Sequence, residues 1–202
     1  MTHSIETVLQ QGFIQGHMEV LGKDLLCEIL DSNVPDCLQE TNVSLNKPLD
    51  ADFFQHLDEN LFQKYGKQGA EGIARSAGRL AFKGYKDTIS TLVEHGSIEK
   101  RLLPFAEKIG NALQNFLLAL NSHALTDLAL QRNAKENIWL IDGNILPPAG
   151  TFLQAGNQEF FMGMLESMLE WMDSRHQFQV EQAAASQKSG EMHLKISVRR
   201  LD

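Results

Sequence analysis

The stretch that decides the fold lies near the C-terminal end: QEFFMGMLESMLEWM at 158–172, then HQFQVEQ at 176–182 and EMHLKISVR at 191–199. In the first run Phe160, Phe161, Met164, Leu165, Met168, Leu169 and Met172 recur three or four apart, the period of a helix with one wide apolar face. In the last, Met192, Leu194, Ile196 and Val198 alternate with His193, Lys195, Ser197 and Arg199, the period of a strand buried on one side. Phe178 and Val180 alternate likewise. The link from Ala185 to Gly190 is short and polar, so the two strands pair as a hairpin.

Upstream, Asn137 to Asp142 is a short run of β-formers stopped by Asp142-Gly143-Asn144, a third strand, and Ile145 to Gly150 is a turn-rich connection. The chain ahead of it is mainly helical. Ile98 to Leu120 carries a broad stripe through Leu102, Leu103, Ala106, Ile109, Leu113, Phe116, Leu117 and Leu120. Residues 68–88 gather Ala70, Gly72, Ala74, Ala77, Gly78, Ala81 and Gly84, small side chains that permit close approach of another backbone or of a flat ligand. A helix of about Asp52 to Tyr65 precedes it, buried through Phe53, Phe54, Leu57, Leu61 and Phe62. Ser4 to Ile29 is amphipathic, but Gly12, Gly16 and Gly22 each cost about 1 kcal/mol relative to alanine, and a break is expected near Gly12 to Gly16. Asp31 to Asp50, with Pro35 and Pro48, reads as a connection. The expectation is an α+β fold, helices packed on a small antiparallel sheet, in a single domain of residues 1–202: 1–125 mainly helical, 137–202 strand, helix and hairpin.

At 202 residues, 43% hydrophobic and 22% charged, the chain has the composition of one globular domain. A net charge of −8 with scattered Lys and Arg argues against nucleic acid or an anionic lipid surface as partner. No run of about 18 apolar residues offers a membrane span. The N-terminus has no secretory pattern, and Cys27 and Cys37 match no metal or redox spacing, so two reduced thiols and a cytoplasmic setting are expected.

No acid, base or nucleophile declares itself. The seven histidines never fall at His-x-x-x-His spacing and read as surface or helix-end residues, and neither a metal site nor a catalytic residue is assigned. Gly66-x-x-Gly69-x-x-Gly72 lacks a preceding strand and reads as a helix start rather than a dinucleotide loop. Arg75 and Arg79 share a helix face and either clamp an anionic group or form a solvated stripe answering Glu71 or Asp87. His193 shares its strand face with Lys195. The Met and Phe stripe at 160–172 reads as core or as the wall of an irregular apolar site, with Trp139 and Trp171 along the same interior.

Trp139, the TFLQAG stretch at 151–156, MGMLE at 162–166, Val180-Glu181 and the Gly190-Glu191 hairpin together resemble the 4-vinyl reductase domain, and GRLAF at 78–82 resembles the segment ahead of it. That domain is related in fold to transport-particle subunits and haem-based nitric-oxide sensors. The resemblance implies helices on an antiparallel sheet around a pocket for a hydrocarbon-like or tetrapyrrole-like molecule. Family members commonly carry cysteines that would fall near Thr151, Ser186 and Leu194; none is cysteine here, which removes a thiolate metal site, and no haem-ligating histidine motif is evident. The function expected is non-catalytic binding or sensing of an apolar small molecule, its cofactor left open. Arg75, Arg79, Phe82, Phe116, Trp139, Phe161, Met164, Leu165, Met168 and His193 are the candidate ligand-binding residues. The alternatives are a homodimeric assembly protein of the same fold and a tetrapyrrole-related reductase.

Overall fold

Helix α1, Ile5–Leu21, runs unbroken through Gly12 and Gly16, where helix propensity alone points to an interruption. The reason is packing. A Cβ at Gly16 would overlap the backbone carbonyl of Ala77, and one at Gly12 would touch the Ala81 side chain at 3.4 Å. These glycines are where α1 lies against another helix, and close packing outweighs their intrinsic penalty. The chain breaks instead at Gly22, whose φ of 80° suits only glycine, and α2, Lys23–Leu30, leaves from there. The computed structural model describes residues 5–30, 49, 51–87, 103–122, 126–133, 135–146, 158–183 and 191–200. The expected connection at 31–48, the 151–156 stretch, Ser186, Gly190, Cys37, His3, His95 and His123 lie outside the described residues.

The two helices expected at 52–65 and 68–88 are joined as α3, Ala51–Gly84, with Gly66 the non-helical residue between them (φ 69°, ψ 175°). Gly66 therefore makes a kink, and the glycine run around it is no phosphate loop. Helix α4, Phe105–Ser122, starts later than the periodicity suggests. Leu103 and Pro104 stand outside it, and the Pro104 carbonyl accepts the N–H groups of Glu107 and Lys108 at 3.0 Å. Proline brings no N–H of its own, so it suits the start of a helix and not its interior.

Strands β1, Thr126–Asn133, β2, Ile138–Ile145, β3, His176–Gln182, and β4, Glu191–Arg200, form one antiparallel sheet in the order β1-β2-β4-β3. Helix α5, Gln158–Met172, precedes the β3–β4 hairpin, whose register sets Val180 opposite Ile196. The hairpin is as the alternation predicts. β1 was not among the expected elements; it alternates over Thr126 to Leu130 before its exposed end. β2 continues past Gly143, where a stop was expected, because a glycine there lets the strand cross close to β1. A Cβ at Gly143 would overlap the Asp127 carbonyl.

One face of the sheet is buried through Leu128, Trp139, Ile141, Phe178, Val180, Met192, Leu194 and Ile196, and it packs on α4 and α5. Behind α5 lies α3, and α1 packs on α3. Of the small residues of 70–84, Ala77, Gly78 and Ala81 thus receive neighbouring helices. A Cβ at Gly78 would overlap the Phe160 carbonyl of α5, and reciprocally one at Gly163 of α5 would overlap the Arg75 carbonyl of α3. Among the described residues no helix is long and apolar enough to cross a membrane.

Two backbones in contact leave no room for a methyl group. Gly78→Ala and Gly163→Ala are each expected to destabilise the protein by roughly 3 kcal/mol, the upper range for overpacking. Gly72→Ala, where nothing lies within 4 Å of the added Cβ, is expected to stabilise α3 by about 0.5–1 kcal/mol. Urea unfolding of the three variants reads the contrast directly.

Candidate functional site

Seven of the ten candidate residues are brought into one apolar core. Phe82, Phe116, Trp139, Phe161, Met164, Leu165 and Met168 are all buried within it. The Phe116 and Phe161 rings stack with centroids 5.9 Å apart, joining α4 to α5. Phe82 lies 6.0 Å from Trp171, which also carries Lys86 Nζ at 5.7 Å over its ring. Trp139 meets Phe105 edge-on at 6.4 Å, and its indole Nε1 has no hydrogen-bond partner among the described residues, beside the open Cα of Gly110. This cluster joins α3, α4, α5 and the sheet in one packed interior.

Arg75 and Arg79 do not face it. Both guanidiniums turn to α5 and β3, where Glu166 is nearly inaccessible at 3% exposure. Arg75 donates from Nη2 to Glu166 Oε1 at 2.5 Å and from Nε to Oε2 at 3.2 Å, and its Nη1 reaches Glu159 at 2.9 Å. Arg79 adds Nη2 to Glu166 Oε2 at 2.6 Å. Two backbone groups complete the set: Glu166 Oε1 accepts the Val180 N–H at 3.2 Å, and Arg75 Nη2 donates to the Val180 carbonyl. Burial alone would raise the Glu166 carboxyl, but the hydrogen bonds from Arg75 and Arg79, the Arg75 charge and the Val180 amide together hold it below its ordinary range. Glu159 goes the other way, pushed up because burial outweighs the attraction of Arg75. The pair is therefore an internal ion network, with partners on α5 in place of the expected Glu71 or Asp87. A cleft of about 680 Å³ opens beside it, lined by polar groups of this network and by residues 177–182 of β3.

His193 stands apart from the other nine, on the opposite face of the sheet from the core. Its Nδ1 lies 2.9 Å from Asp142 Oδ1 on the paired strand and its Nε2 3.4 Å from Glu191 Oε2. Two carboxylates accepting from one ring favour the imidazolium, so the pKa is raised, chiefly by the Asp142 hydrogen bond. That makes it a cross-strand link between β2 and β4.

His17 is the residue that sequence pattern missed. It was read with the surface histidines, yet it is 1% exposed in the core. Its Nδ1 sits 2.8 Å from the Phe13 carbonyl, which can only accept, so the proton is on Nδ1 and Nε2 carries a bare lone pair. Nε2 has no partner among the described residues. The ring is held between Phe13, at 4.3 Å, and Phe160, at 6.0 Å. Its spacing from Phe13, four residues on one helical face, was the available signal.

No family model matches the chain. Solved structures do share its fold. A single-site variant of the T. Tengcongensis H-NOX superposes with a TM-score of 0.64 at 14% identity, covering 98% of this chain and 98% of that one. A doubly substituted Tt H-NOX gives 0.64 at 17% identity over 97% and 95% of the two chains. An oxygen-binding H-NOX domain related to soluble guanylate cyclases, in its oxygen complex, gives 0.62 at 15% over 97% and 96%. The chain shares the fold of these H-NOX structures.

Haem is the group that fold brings to mind, since one matching structure concerns haem distortion in the H-NOX family. Haem iron needs an axial side chain, a histidine, thiolate, phenolate or thioether, aimed at an open apolar slot. The buried face of α4 offers Ile109, Ala112, Leu113, Phe116, Leu117 and Leu120, none of them such a ligand. His17 has a free nitrogen, but it is enclosed by phenyl rings on a helix already in backbone contact with α3, and it lines neither of the two described cavities. Among the described residues no group of three metal-ligating His, Cys, Asp or Glu side chains comes together either. The thioethers of Met164 and Met168 lie in the packed cluster and line neither described cavity, so the described residues show no axial ligand at an open apolar slot.

Burial lowers the His17 pKa from 6.5 to about 4, against the weaker opposing effect of the Phe13 carbonyl. Between those values the unfolded chain binds a proton that the folded chain refuses, so stability falls as the pH drops from about 6.5 to 4. The loss is roughly 3 kcal/mol across that window. His17→Leu, which removes the titrating ring and the bare nitrogen, is expected to match or exceed the native protein at pH 7. Its advantage should grow by that amount at pH 4, read as the difference between the two pH profiles of unfolding free energy.

Proposed function

We propose that the chain is a non-catalytic domain that binds or senses an apolar, hydrocarbon- or tetrapyrrole-like small molecule, with no iron ligand supplied by the described residues. The observation that carries this is the H-NOX fold over the whole chain, combined with an apolar cluster of rings and thioethers where that fold has helices facing a sheet. One matching structure is described as oxygen-binding, which supports small-molecule recognition as a use of this architecture. Phe82, Phe116, Trp139, Phe161, Met164, Leu165 and Met168 supply the wall. Met side chains adapt to irregular apolar shapes, and each large apolar group enclosed contributes roughly 1.5–3 kcal/mol. Arg75, Arg79 and His193 act in this reading as supports rather than contacts, since their partners lie within the protein. The finer likeness of the C-terminal half to the 4-vinyl reductase domain, one domain over 1–202 and a cytoplasmic setting accompany the proposal.

Homodimeric assembly is the second reading, favoured by Phe62, Tyr65 and Leu118, large apolar side chains left exposed on α3 and α4. Light scattering across a concentration series decides it, and a constant monomer mass removes it.

Native mass spectrometry of the full chain purified from its own host is expected to show an added apolar mass. Met164→Trp, which puts a larger ring into the apolar cluster, is expected to lose that mass while keeping its circular dichroism. Added haemin should leave the spectrum of free haemin unchanged. A clean mass of the bare chain overturns the ligand reading, and a shifted haemin spectrum overturns the exclusion of iron.

A further inference from the structure

Among the described residues the sheet has two outer strands, β1 and β3, and each carries backbone groups that no described strand pairs. An open edge of this kind recruits further strands from other chains. On β1 the side chain of Asn121, from the end of α4, meets one residue twice. Its Oδ1 accepts the Leu128 N–H at 3.0 Å, and its Nδ2 donates to the Leu128 carbonyl at 2.9 Å. The Thr126 hydroxyl donates to the same Oδ1 at 2.7 Å and holds the amide in place. On β3 Glu166 accepts the Val180 N–H and Arg75 donates to the Val180 carbonyl. Each arrangement supplies one acceptor and one donor to the outward N–H and C=O of a single residue, the two bonds that a neighbouring antiparallel strand would make. The same device is built at opposite edges from unrelated side chains, an amide and a carboxylate–guanidinium pair.

We propose that Asn121 and the Arg75–Glu166 pair are edge locks that hold the sheet at four strands, and that releasing either turns its edge into a pairing surface for a second copy of this chain. Charge permits that occupant. An antiparallel β3 pair centred on Val180 sets Gln179 opposite Glu181 and Phe178 opposite Gln182. A β1 pair centred on Leu130 sets Asp127 opposite Asn133 and Leu128 opposite Arg132. Like charges never face each other in either. Beside β3, the cleft of about 680 Å³ gives an incoming strand room once the Arg75–Glu166 pair is withdrawn.

Residue-resolved amide hydrogen exchange on the full chain is expected to leave Val180 about tenfold slower than Phe178 and Gln182, whose N–H groups alternation turns to the same edge, and Leu128 about tenfold slower than Leu130. Equal rates overturn the proposal. Glu166→Ala and Asn121→Ala are each expected to lose that protection and to double the wild-type mass in light scattering. Adding Gln182→Pro to the first and Arg132→Pro to the second removes an outward edge N–H and is expected to restore the wild-type mass. A folded single variant at wild-type mass, or association that survives the proline, also overturns it. Should Glu166→Ala not fold, Asn121→Ala, which strands no buried charge, and the wild-type exchange rates decide the matter.

Discussion

Gly78 and Gly163 bring the backbones of α3 and α5 into contact, and the placement of the β3–β4 hairpin depends on that closeness. Arg75 lies three residues before the first glycine and Glu166 three residues after the second, so one helical turn from the contact a guanidinium and a carboxylate face each other at 2.5 Å. A buried carboxylate is tolerable only when its oxygens are filled. Arg75, Arg79 and the Val180 N–H fill them, and in doing so they tie β3 to both helices. From β3 the register passes to β4 and β2, and with it the choice of Leu194, Ile196 and Trp139 as inward-facing residues. Side chains at the two glycines would separate the helices and lengthen every one of these bonds.

How much of this is legible in the sequence depends on whether a feature has a period. The α5 stripe and the alternation of β3 and β4 are periodic over their whole lengths and emerge as expected. β1 is not: after Leu130 it runs Gln131, Arg132, Asn133, and what makes it a strand is pairing with β2, a contact invisible from its own residues. Propensity likewise misplaces the break in α1, because Gly12 and Gly16 are read there as weak helix formers when their role is to admit Ala77 and Ala81. The small-residue face of α3 left backbone and flat ligand as equal alternatives. The distinction rests on α5 and α1, which lie distant in the chain.

The candidate site divides along the same line. The seven apolar candidates were readable because large side chains at helical or strand spacing mark an interior whatever that interior holds. The destination of Arg75 and Arg79 was not, although a clue stood in plain view. Glu166 lies within the apolar stripe of α5, seven residues and two turns from Glu159, and a carboxylate on an inward face requires a buried counter-charge. Arg75 and Arg79, at i and i+4 on another helix, are a pair suited to supply it. His17 gives the opposite lesson: neutral and hydrogen-bonded to its own helix, it enters the core with no hydrogen-bond partner for Nε2 among the described residues.

With the charges of this region paired inside the protein, the proposed function places a narrow demand on recognition. A haem would be held by one bond to iron, and the described residues provide no such anchor in an open slot. Arg75 is paired with Glu166 and Glu159 and Arg79 with Glu166, and His193 works on the far face of the sheet. In the proposed reading an enclosed molecule would meet Phe116 stacked on Phe161, the thioethers of Met164 and Met168, and the indole N–H of Trp139, which has no hydrogen-bond partner among the described residues. Binding would then rest on apolar area and shape, and selectivity on fit rather than charge, with that N–H the one described polar group placed to distinguish a ligand bearing an acceptor from a pure hydrocarbon.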